Sequence, residues 1–186
     1  MAEALDADRI AEGVLPMLRP RLRRVTVLDE VDSTNRYLDR LEPAERHAHA
    51  VIADRQTAGR GRRDRHWHSP AGGNLYFSLG WRFAPGDRAY STLPLVVAVA
   101  TAEALRRTGL RNHGVKWPND ILAGGRKLAG ILVELKTNGP GATVAVIGVG
   151  INLAMPAPAG EDPDRMIDRP WTDLASHVDE PSVAGQ

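Results

Sequence analysis

The 186-residue chain contains no cysteine, which excludes disulfide bonds, a thiolate nucleophile and the commoner structural zinc sites. This absence fits a reducing compartment, and we expect the cytoplasm. No apolar run approaches the ~20 residues that cross a bilayer, and the N-terminal residues lack the basic start and apolar core of a secretory signal. We therefore expect a soluble protein with no membrane partner.

Strong net charge is also absent, since 24 lysines and arginines oppose 23 acidic residues and leave a formal net charge of +1. A protein that coats nucleic acid through bulk charge would carry a broad basic surface. The positive charge is local instead: "RQTAGRGRRDRHW" (residues 55–67) places five arginines around two glycines. Glycines let the backbone approach a ligand, and guanidinium groups pair with phosphate oxygens in two-pronged fashion. The segment favours an anionic ligand, with a solvated basic loop or a nucleic-acid contact as alternatives.

The spacing of apolar residues predicts an α+β fold. We expect strands at residues 25–28, 50–54, 74–82 and 143–149. Ser33 can cap a short helix, and residues 91–108 form one long helix. Gly124 and Gly125 indicate a hairpin, and "NGPG" (residues 138–141) a second turn. Hairpins with a helix between strands indicate a mixed, largely antiparallel sheet.

The glycine and arginine segment lies in a loop of nearly twenty residues, longer than a compact domain normally contains without a functional reason. It ends in Trp67, an aromatic side chain that could anchor the loop or stack on a ligand. The loop has no Walker A pattern, and it precedes a strand instead of opening a dinucleotide-binding helix. A nucleotide would therefore bind by another scheme.

A second group of polar residues is "KWPND", within an otherwise apolar stretch. Lys116, held beside Trp117 and the rigid Pro118, suits a point cation aimed at a carboxylate or phosphate. Asn119 adds an amide and Asp120 a carboxylate, either a metal ligand or a turn-former. In isolation the tetrapeptide "WPND" is more often only a turn. "GVGIN" (residues 148–152) ends a strand with two glycines and an asparagine whose amide can pair with a base edge.

Other catalytic chemistries find no support. His66 and His68 flank Trp67, but no third nitrogen or thiolate ligand lies nearby in the sequence, so we expect exposed side chains and no zinc site. No serine lies in a Gly-x-Ser-x-Gly motif, which leaves hydrolysis by a serine nucleophile without support.

Five motifs together, "EVDSTN", "QTAGRGRRDRHWHSPAGGNLYFSL", "VKWPNDI", "RKLAGILVEL" and "VIGVGINL", resemble the catalytic domain of biotin-protein ligases in order and separation. The resemblance covers about residues 24–154. It implies an α+β fold like that of class II aminoacyl-tRNA synthetases and biotin or lipoate ligases, with helices packed on one face of the sheet. It also implies a reaction in which biotin and MgATP form biotinyl-5′-AMP, which then acylates a lysine of a biotin carboxyl carrier domain of acetyl-CoA carboxylase or a similar enzyme.

The resemblance also assigns roles to residues. Lys116 and Arg62 would be catalytic, with Lys116 bridging the biotin carboxylate and the α-phosphate. On the chemistry of its carboxylate alone, Asp120 is the candidate metal ligand. Biotin would be bound by Ser33, Thr34, Asn35, Gln56, Arg60, Gly61, Arg62, Trp67 and Lys116. ATP or the adenylate would be bound by Gly59, Arg60, Arg62, Arg65, Asn119, Lys127 and Asn152. The arginine loop would be disordered when empty and would order over the ligand.

The chain departs from the family pattern in three places. Asp64 replaces the last glycine of the arginine motif, which is tolerable if this residue is left-handed, and it adds a negative charge there. Residues 1–23 read as a lead-in or linker too short for a helix-turn-helix domain, so no DNA binding is expected. The catalytic domain, residues 24–186, is expected to be incomplete at its C-terminal end. A homodimer is possible.

Three alternatives stay open at this point. One is a lipoate or octanoate ligase-transferase, which shares the fold but lacks the "GRGR" and "KWPND" pair. Another is a fragment that binds biotin without turnover, since Asp64 and the C-terminal end could impair catalysis. The third is an RNA-binding protein that uses the arginine loop, which predicts salt-sensitive affinity.

Overall fold

A seven-stranded sheet organises the part of the chain described by the computed structural model, residues 5–84, 87, 89–138, 142–155 and 170–178. The strands are β1 (Arg24–Val31), β2 (His49–Gln56), β3 (Asn74–Phe83), β4 (His113–Lys116), β5 (Asp120–Ala123), β6 (Arg126–Asn138) and β7 (Ala142–Asn152). The α-helices are α1 (Ala7–Gly13), α2 (Thr34–Arg40), α3 (Pro43–Arg46) and α4 (Leu93–Arg107). Short 3-10 turns lie at Arg19–Arg21 and Ala89–Thr92.

The strands lie in the order β1-β2-β3-β7-β6-β5-β4. Only β1 and β2 pair in parallel among these neighbours, and the other five pairings are antiparallel. The predicted α+β fold with a mixed, largely antiparallel sheet is therefore confirmed. No described helix is both long and apolar enough to cross a membrane.

The helices cover both faces of the sheet, which corrects the prediction that they pack on one face. Leu38 of α2 packs against Val51 and Val146. Leu105 of α4 belongs to a separate core that contains Val149. Successive strand residues point to opposite faces, so the even and odd positions of β7 face different helices. Because β7 is apolar at nearly every position, both of its faces need cover.

Three local predictions have different outcomes. Gly124 and Gly125 form the β5–β6 turn with φ of 55° and 77°, as the hairpin prediction requires. The second predicted turn includes residues 139–141, which lie outside the described residues. Ser33 does occupy the N-cap position of α2, but its hydroxyl makes no capping hydrogen bond. The Thr34 amide instead donates to Gln56 Oε1 at 2.9 Å, so a side chain from β2 caps this helix.

A buried histidine joins β2 to its neighbours. His49 is 1% exposed, with its Nε2 2.9 Å from Thr26 Oγ1 and its Nδ1 3.2 Å from the Glu45 carbonyl oxygen. Burial lowers the pKa of His49 below the ordinary 6.5, and the Arg24 charge lowers it further, against the opposing effect of Glu45. Folding therefore favours the neutral form of this ring.

We predict that His49 makes folding sensitive to mild acid. As pH falls through 6.5, His49 takes up a proton in the unfolded chain, whereas in the folded protein it does so only at the lower pH set by its lowered pKa. The free energy of unfolding therefore falls between these two pH values. The slope from this one group is at most about 1.4 kcal/mol per pH unit. Urea unfolding between pH 7.5 and 5.5 should show a smaller slope for His49→Gln.

Thr26→Val is the matched control for this prediction. It removes a hydrogen-bond partner and keeps the titrating ring, so it should lower stability at every pH and retain the slope. An unchanged slope in His49→Gln would show that His49 does not carry the acid sensitivity.

Candidate functional site

Two adjoining cavities lie between the arginine loop and strands β6 and β7. The inner cavity, about 60 Å³, contains the side chains of the α2 N-terminus and Gln56 in its lining. The outer cavity, about 300 Å³, is lined by the loop tip, the "KWPND" segment and Trp171. Both cavities are lined by Gly61, Arg62, Trp67, Asn119 and Lys127. This shared boundary makes the two cavities one extended site.

The indole of Trp67 lies directly on the sheet. Gly130 and Gly150 are paired across β6 and β7, and a Cβ on either would lie 2.8 or 2.6 Å from the indole. Only glycine at both positions permits this approach. The Trp67 Nε1 atom is buried and has no hydrogen-bond partner among the described residues. Buried donors normally have a partner, so this one is available to a ligand acceptor.

Three neutral side chains, Thr34, Asn35 and Gln56, form one wall of the inner cavity and belong to a hydrogen-bonded chain. Gln56 Oε1 accepts from the Thr34 amide and lies 3.2 Å from Thr34 Oγ1, while Gln56 Nε2 donates to Ser69 Oγ at 3.0 Å. Ser78 Oγ lies 2.7 Å from Thr34 Oγ1 and 2.6 Å from Asn35 Oδ1. The wall is therefore rigid and offers uncharged donors and acceptors. Such groups suit a polar, uncharged part of a ligand.

Glu134 ties two of the predicted ligand-binding side chains together. Its Oε2 accepts from Asn35 Nδ2 at 2.8 Å, and its Oε1 accepts from Arg60 Nη1 at 2.9 Å. Sequence reasoning missed Glu134, Ser69 and Ser78. A signal existed for Glu134, because it is a single carboxylate inside the apolar strand sequence "ILVEL". No sequence signal pointed to Ser69 or Ser78.

The arginine loop folds back on itself as a hairpin. The Gly61 amide donates to the Arg65 carbonyl at 2.7 Å, and the Trp67 amide donates to the Gly59 carbonyl at 2.9 Å. Asp64 has φ of 57°, so it meets the left-handed condition under which it can replace glycine. A Cβ on Gly59 would lie 2.4 Å from the Trp67 carbonyl oxygen, which explains that glycine. The expectation that the loop orders only over a ligand stays a prediction.

The outer cavity is strongly cationic. Five cationic side chains line it, namely Arg62, Arg63, Arg65, Lys116 and Lys127, against one carboxylate, Asp120. Lys127 Nζ pairs with Asp120 Oδ1 at 2.9 Å and lies 5.0 Å from the Trp67 ring centroid. Within the described ranges, the Lys116 side chain forms no hydrogen bond or ion pair. Like charges gathered at one cavity create a field that attracts a polyanion.

Two predicted nucleotide contacts already have partners. Asn119 Oδ1 accepts from Arg62 Nη1 at 3.0 Å, and Asn119 Nδ2 donates to the Ile131 carbonyl at 3.0 Å. Asn152, 3% exposed, donates through Nδ2 to the Thr172 carbonyl at 2.9 Å. Asn119 thus fixes the Arg62 guanidinium at the boundary between the two cavities, and Asn152 fixes the segment that carries Trp171. Their direct contacts with a nucleotide stay predictions.

The candidate metal ligand has a cation as its partner. Asp120 is 8% exposed and pairs with Lys127. No group of three or more histidines, cysteines or acids able to hold a metal ion is found among the described residues. The carboxylate thus neutralises a cation in this structure, and its assignment as a metal ligand stays a prediction.

The outer cavity also holds aromatic and imidazole groups. Trp171 was missed by sequence reasoning, and its buried Nε1 has no partner within the described ranges. His68 was predicted to be exposed but is half-buried, and burial, followed by the charge of His66, lowers its pKa. A flat ligand group could lie among these rings, while the phosphates would lie toward the cations.

Comparisons with known proteins identify relatives of the chain. The sequence profile of the biotin/lipoate A/B protein ligase family matches residues 27–152. The bifunctional ligase/repressor BirA of Salmonella typhimurium is 47% identical over 154 residues, which cover 82% of this chain and 46% of that protein. The biotin–[acetyl-CoA-carboxylase] ligase of Paracoccus denitrificans is 41% identical over 139 residues, covering 72% and 56%. The chain therefore spans about half the length of these curated relatives.

Solved structures share the fold. Biotin protein ligase from Aquifex aeolicus in complex with biotin and ATP has a TM-score of 0.67 and 33% identity, over 83% of this chain and 61% of that one. Biotin protein ligase from Leishmania major in complex with biotinyl-5-AMP has a TM-score of 0.63 and 29% identity, over 82% and 64%.

We predict that Gly150→Ala displaces the Trp67 indole. The added methyl would lie 2.6 Å from Nε1, so the substitution should lower the free energy of unfolding by about 1–3 kcal/mol and change the near-UV circular dichroism. In a Trp67→Ala background the same methyl meets no indole, and most of that cost should disappear.

Gly114→Ala is the control, because a Cβ there meets no atom within 4 Å. An equal cost of Gly150→Ala with and without the indole would show that Trp67 does not lie on this glycine.

Proposed function

Because the chain belongs to the biotin/lipoate A/B protein ligase family, we propose that it activates biotin with ATP and transfers the biotinyl group to a lysine of a carrier domain. The family match bears out the resemblance drawn from the five motifs. The observation that carries the proposal is the pair of joined cavities, one with a wall of neutral amides and hydroxyls beside Arg60, the other lined by five cationic side chains, with Arg62 and Lys127 at their boundary. Such a site suits a small carboxylic acid placed against a polyphosphate.

The proposed ligands follow from the chemistry of each cavity. Biotin has an uncharged polar ring system and a carboxylate, which fit the neutral wall formed by Thr34, Asn35 and Gln56 and the guanidinium of Arg60. ATP fits the outer cavity, with its phosphates at the cations and its base near Trp171. The Aquifex relative binds biotin and ATP, and the Leishmania relative binds biotinyl-5-AMP, which supports this assignment.

In the first proposed step, a biotin carboxylate oxygen attacks the α-phosphorus of ATP. The new P–O bond gives biotinyl-5′-AMP, and the bond from the α-phosphorus to the bridging oxygen breaks to release pyrophosphate. The carboxylate and the phosphates repel each other, so the step needs fixed cations where they meet. Arg62, held by Asn119, and Lys116 would supply them.

In the second proposed step, the amine of an acceptor lysine attacks the acyl carbon of the mixed anhydride. The bond from the acyl carbon to the phosphate oxygen breaks, AMP leaves, and the amine loses a proton to solvent. No covalent enzyme intermediate is needed. The hairpin of the arginine loop, with Trp67 beneath it, would keep water from the anhydride before the acceptor arrives.

Mg²⁺ would enter as the ATP complex, as part of the substrate. The only carboxylate lining the outer cavity, within the described residues, is paired with a lysine, so we assign no step to a metal ligand of the protein. The acceptor would be a biotin carboxyl carrier domain, as the name of the Paracoccus relative suggests. A catalytic domain over residues 24–186, a homodimer and a cytoplasmic location stay predictions.

The test separates adenylation from transfer. Biotin-dependent exchange of pyrophosphate into ATP reports the first step, and ATP-dependent labelling of a carrier-domain lysine reports both. Lys116→Ala should lower both rates at least ~100-fold. The exposed Lys116 has no side-chain partner among the described residues, so its loss should leave the free energy of unfolding nearly unchanged.

Lys136→Ala is the control, because this lysine pairs with Asp39 outside both cavities and should retain full rates. Biotin binding without exchange would refute the ligase proposal and leave a biotin-binding protein. Exchange with octanoate or lipoate instead of biotin would identify the lipoate branch of the family.

A further inference from the structure

We infer that Glu134 is a positioning residue that fixes Arg60 and Asn35 for biotin before biotin arrives. The inference rests on the proposed function, because it takes these two side chains as biotin contacts. Glu134 itself is absent from the lining of the inner cavity, whereas Arg60 and Asn35 line it. The carboxylate therefore lies behind both and would act on the ligand through them.

The geometry divides the two carboxylate oxygens between two donors. Oε1 accepts from Arg60 at 2.9 Å and Oε2 accepts from Asn35 at 2.8 Å. Rotation of the carboxylate would therefore break both bonds together. The Glu134 side chain is 16% exposed and that of Arg60 is 31% exposed, so water screens this pair less than a surface pair. One side chain of β6 thus couples the arginine loop to α2.

Glu134 also decides which way the Asn35 carboxamide points. An ionised carboxylate only accepts hydrogen bonds, so it selects the amide nitrogen. The amide oxygen then turns to Ser78 Oγ at 2.6 Å and lies over Gly148, where a Cβ would come within 2.4 Å of it. The orientation of the amide dipole at the cavity is therefore fixed from three sides.

The negative charge of Glu134 is compatible with a carboxylate ligand only because the Arg60 guanidinium lies between Glu134 and the cavity. A bare carboxylate beside an incoming carboxylate would repel it. Here the guanidinium binds Glu134 through one nitrogen and can present its other donors to a ligand. Lys116 and Arg62 have no hydrogen bond or ion pair to Glu134 among the described contacts, so Glu134 should affect binding more than the chemical step.

Glu134→Gln is the informative substitution. Glutamine has the same shape but one acceptor oxygen, and its amide nitrogen would face a donor on Arg60 or Asn35. We expect the Kd of biotin, measured by calorimetry, to rise about tenfold, with kcat for biotin-dependent pyrophosphate exchange within about twofold of the original. Glu134→Asp keeps the charge but is one methylene shorter, so its Kd for biotin should lie between those of the unsubstituted chain and Glu134→Gln.

A double-mutant cycle with Arg60→Ala distinguishes positioning from a general structural role. If Glu134 acts through Arg60, adding Glu134→Gln to Arg60→Ala should raise the Kd by much less than tenfold. The matched control is Glu30→Gln, which breaks a similar pair, Arg55 Nη1 to Glu30 Oε2 at 2.7 Å, outside both cavities. It should leave the Kd unchanged.

The outcomes separate this inference from the proposed function. A Kd that is unchanged in Glu134→Gln and Glu134→Asp, or a loss confined to kcat, would overturn the role of Glu134. Equal effects of Glu134→Gln with and without Arg60 would overturn its action through Arg60. If the unsubstituted chain binds no biotin, the proposed function fails, and this inference fails with it. Urea unfolding of each variant identifies any loss that comes from misfolding.

Discussion

The candidate site depends on close contact between side chains and the sheet surface. Gly130, Gly148 and Gly150 remove side chains from neighbouring positions of β6 and β7, and Trp67 and Asn35 occupy the space. A methyl group at any of the three would come within 2.8 Å of one of these side chains. The glycines therefore set how deep the inner cavity is and where its aromatic cover lies. The position of the arginine-loop hairpin depends on Trp67, because the Gly59 carbonyl accepts a hydrogen bond from the Trp67 amide.

A second constraint is the difference in chemistry between the two cavities, since neutral side chains form one wall of the inner cavity and five cationic side chains line the outer one. Neutral amides and hydroxyls bond to one another along the inner wall, so they keep their positions without a ligand. The outer cavity gathers cations that have few internal partners. A near-zero net charge over the chain hides this local field, because acidic residues elsewhere balance it. Under the proposed function, the boundary between the cavities is where the two charged substrates would meet.

The sequence predicted the sheet class, the main strands and the long helix, because period-two patterns and the paired glycines act locally. It also placed the arginine loop and "KWPND" together through their resemblance to one family, and both line the outer cavity. It could not predict that helices cover both faces, since the apolar run of β7 does not show which helix faces which side. Nor could it predict Gln56 as the cap of α2, because that bond joins residues 22 positions apart.

Glu134 illustrates why site residues outside motifs escape sequence reasoning. Its bonds to Asn35 and Arg60 join residues 99 and 74 positions away, so no local pattern encodes them. The same holds for Asn119 and Arg62, which are 57 positions apart. Groups that are already bonded have lost their side-chain freedom during folding, so binding a ligand costs them little further entropy. The exposed Lys116 has no such support among the described residues, so a ligand would have to order it. If the proposed function holds, the protein would thus bind biotin on preorganised groups and use the ordering of its exposed cations for the step that needs ATP.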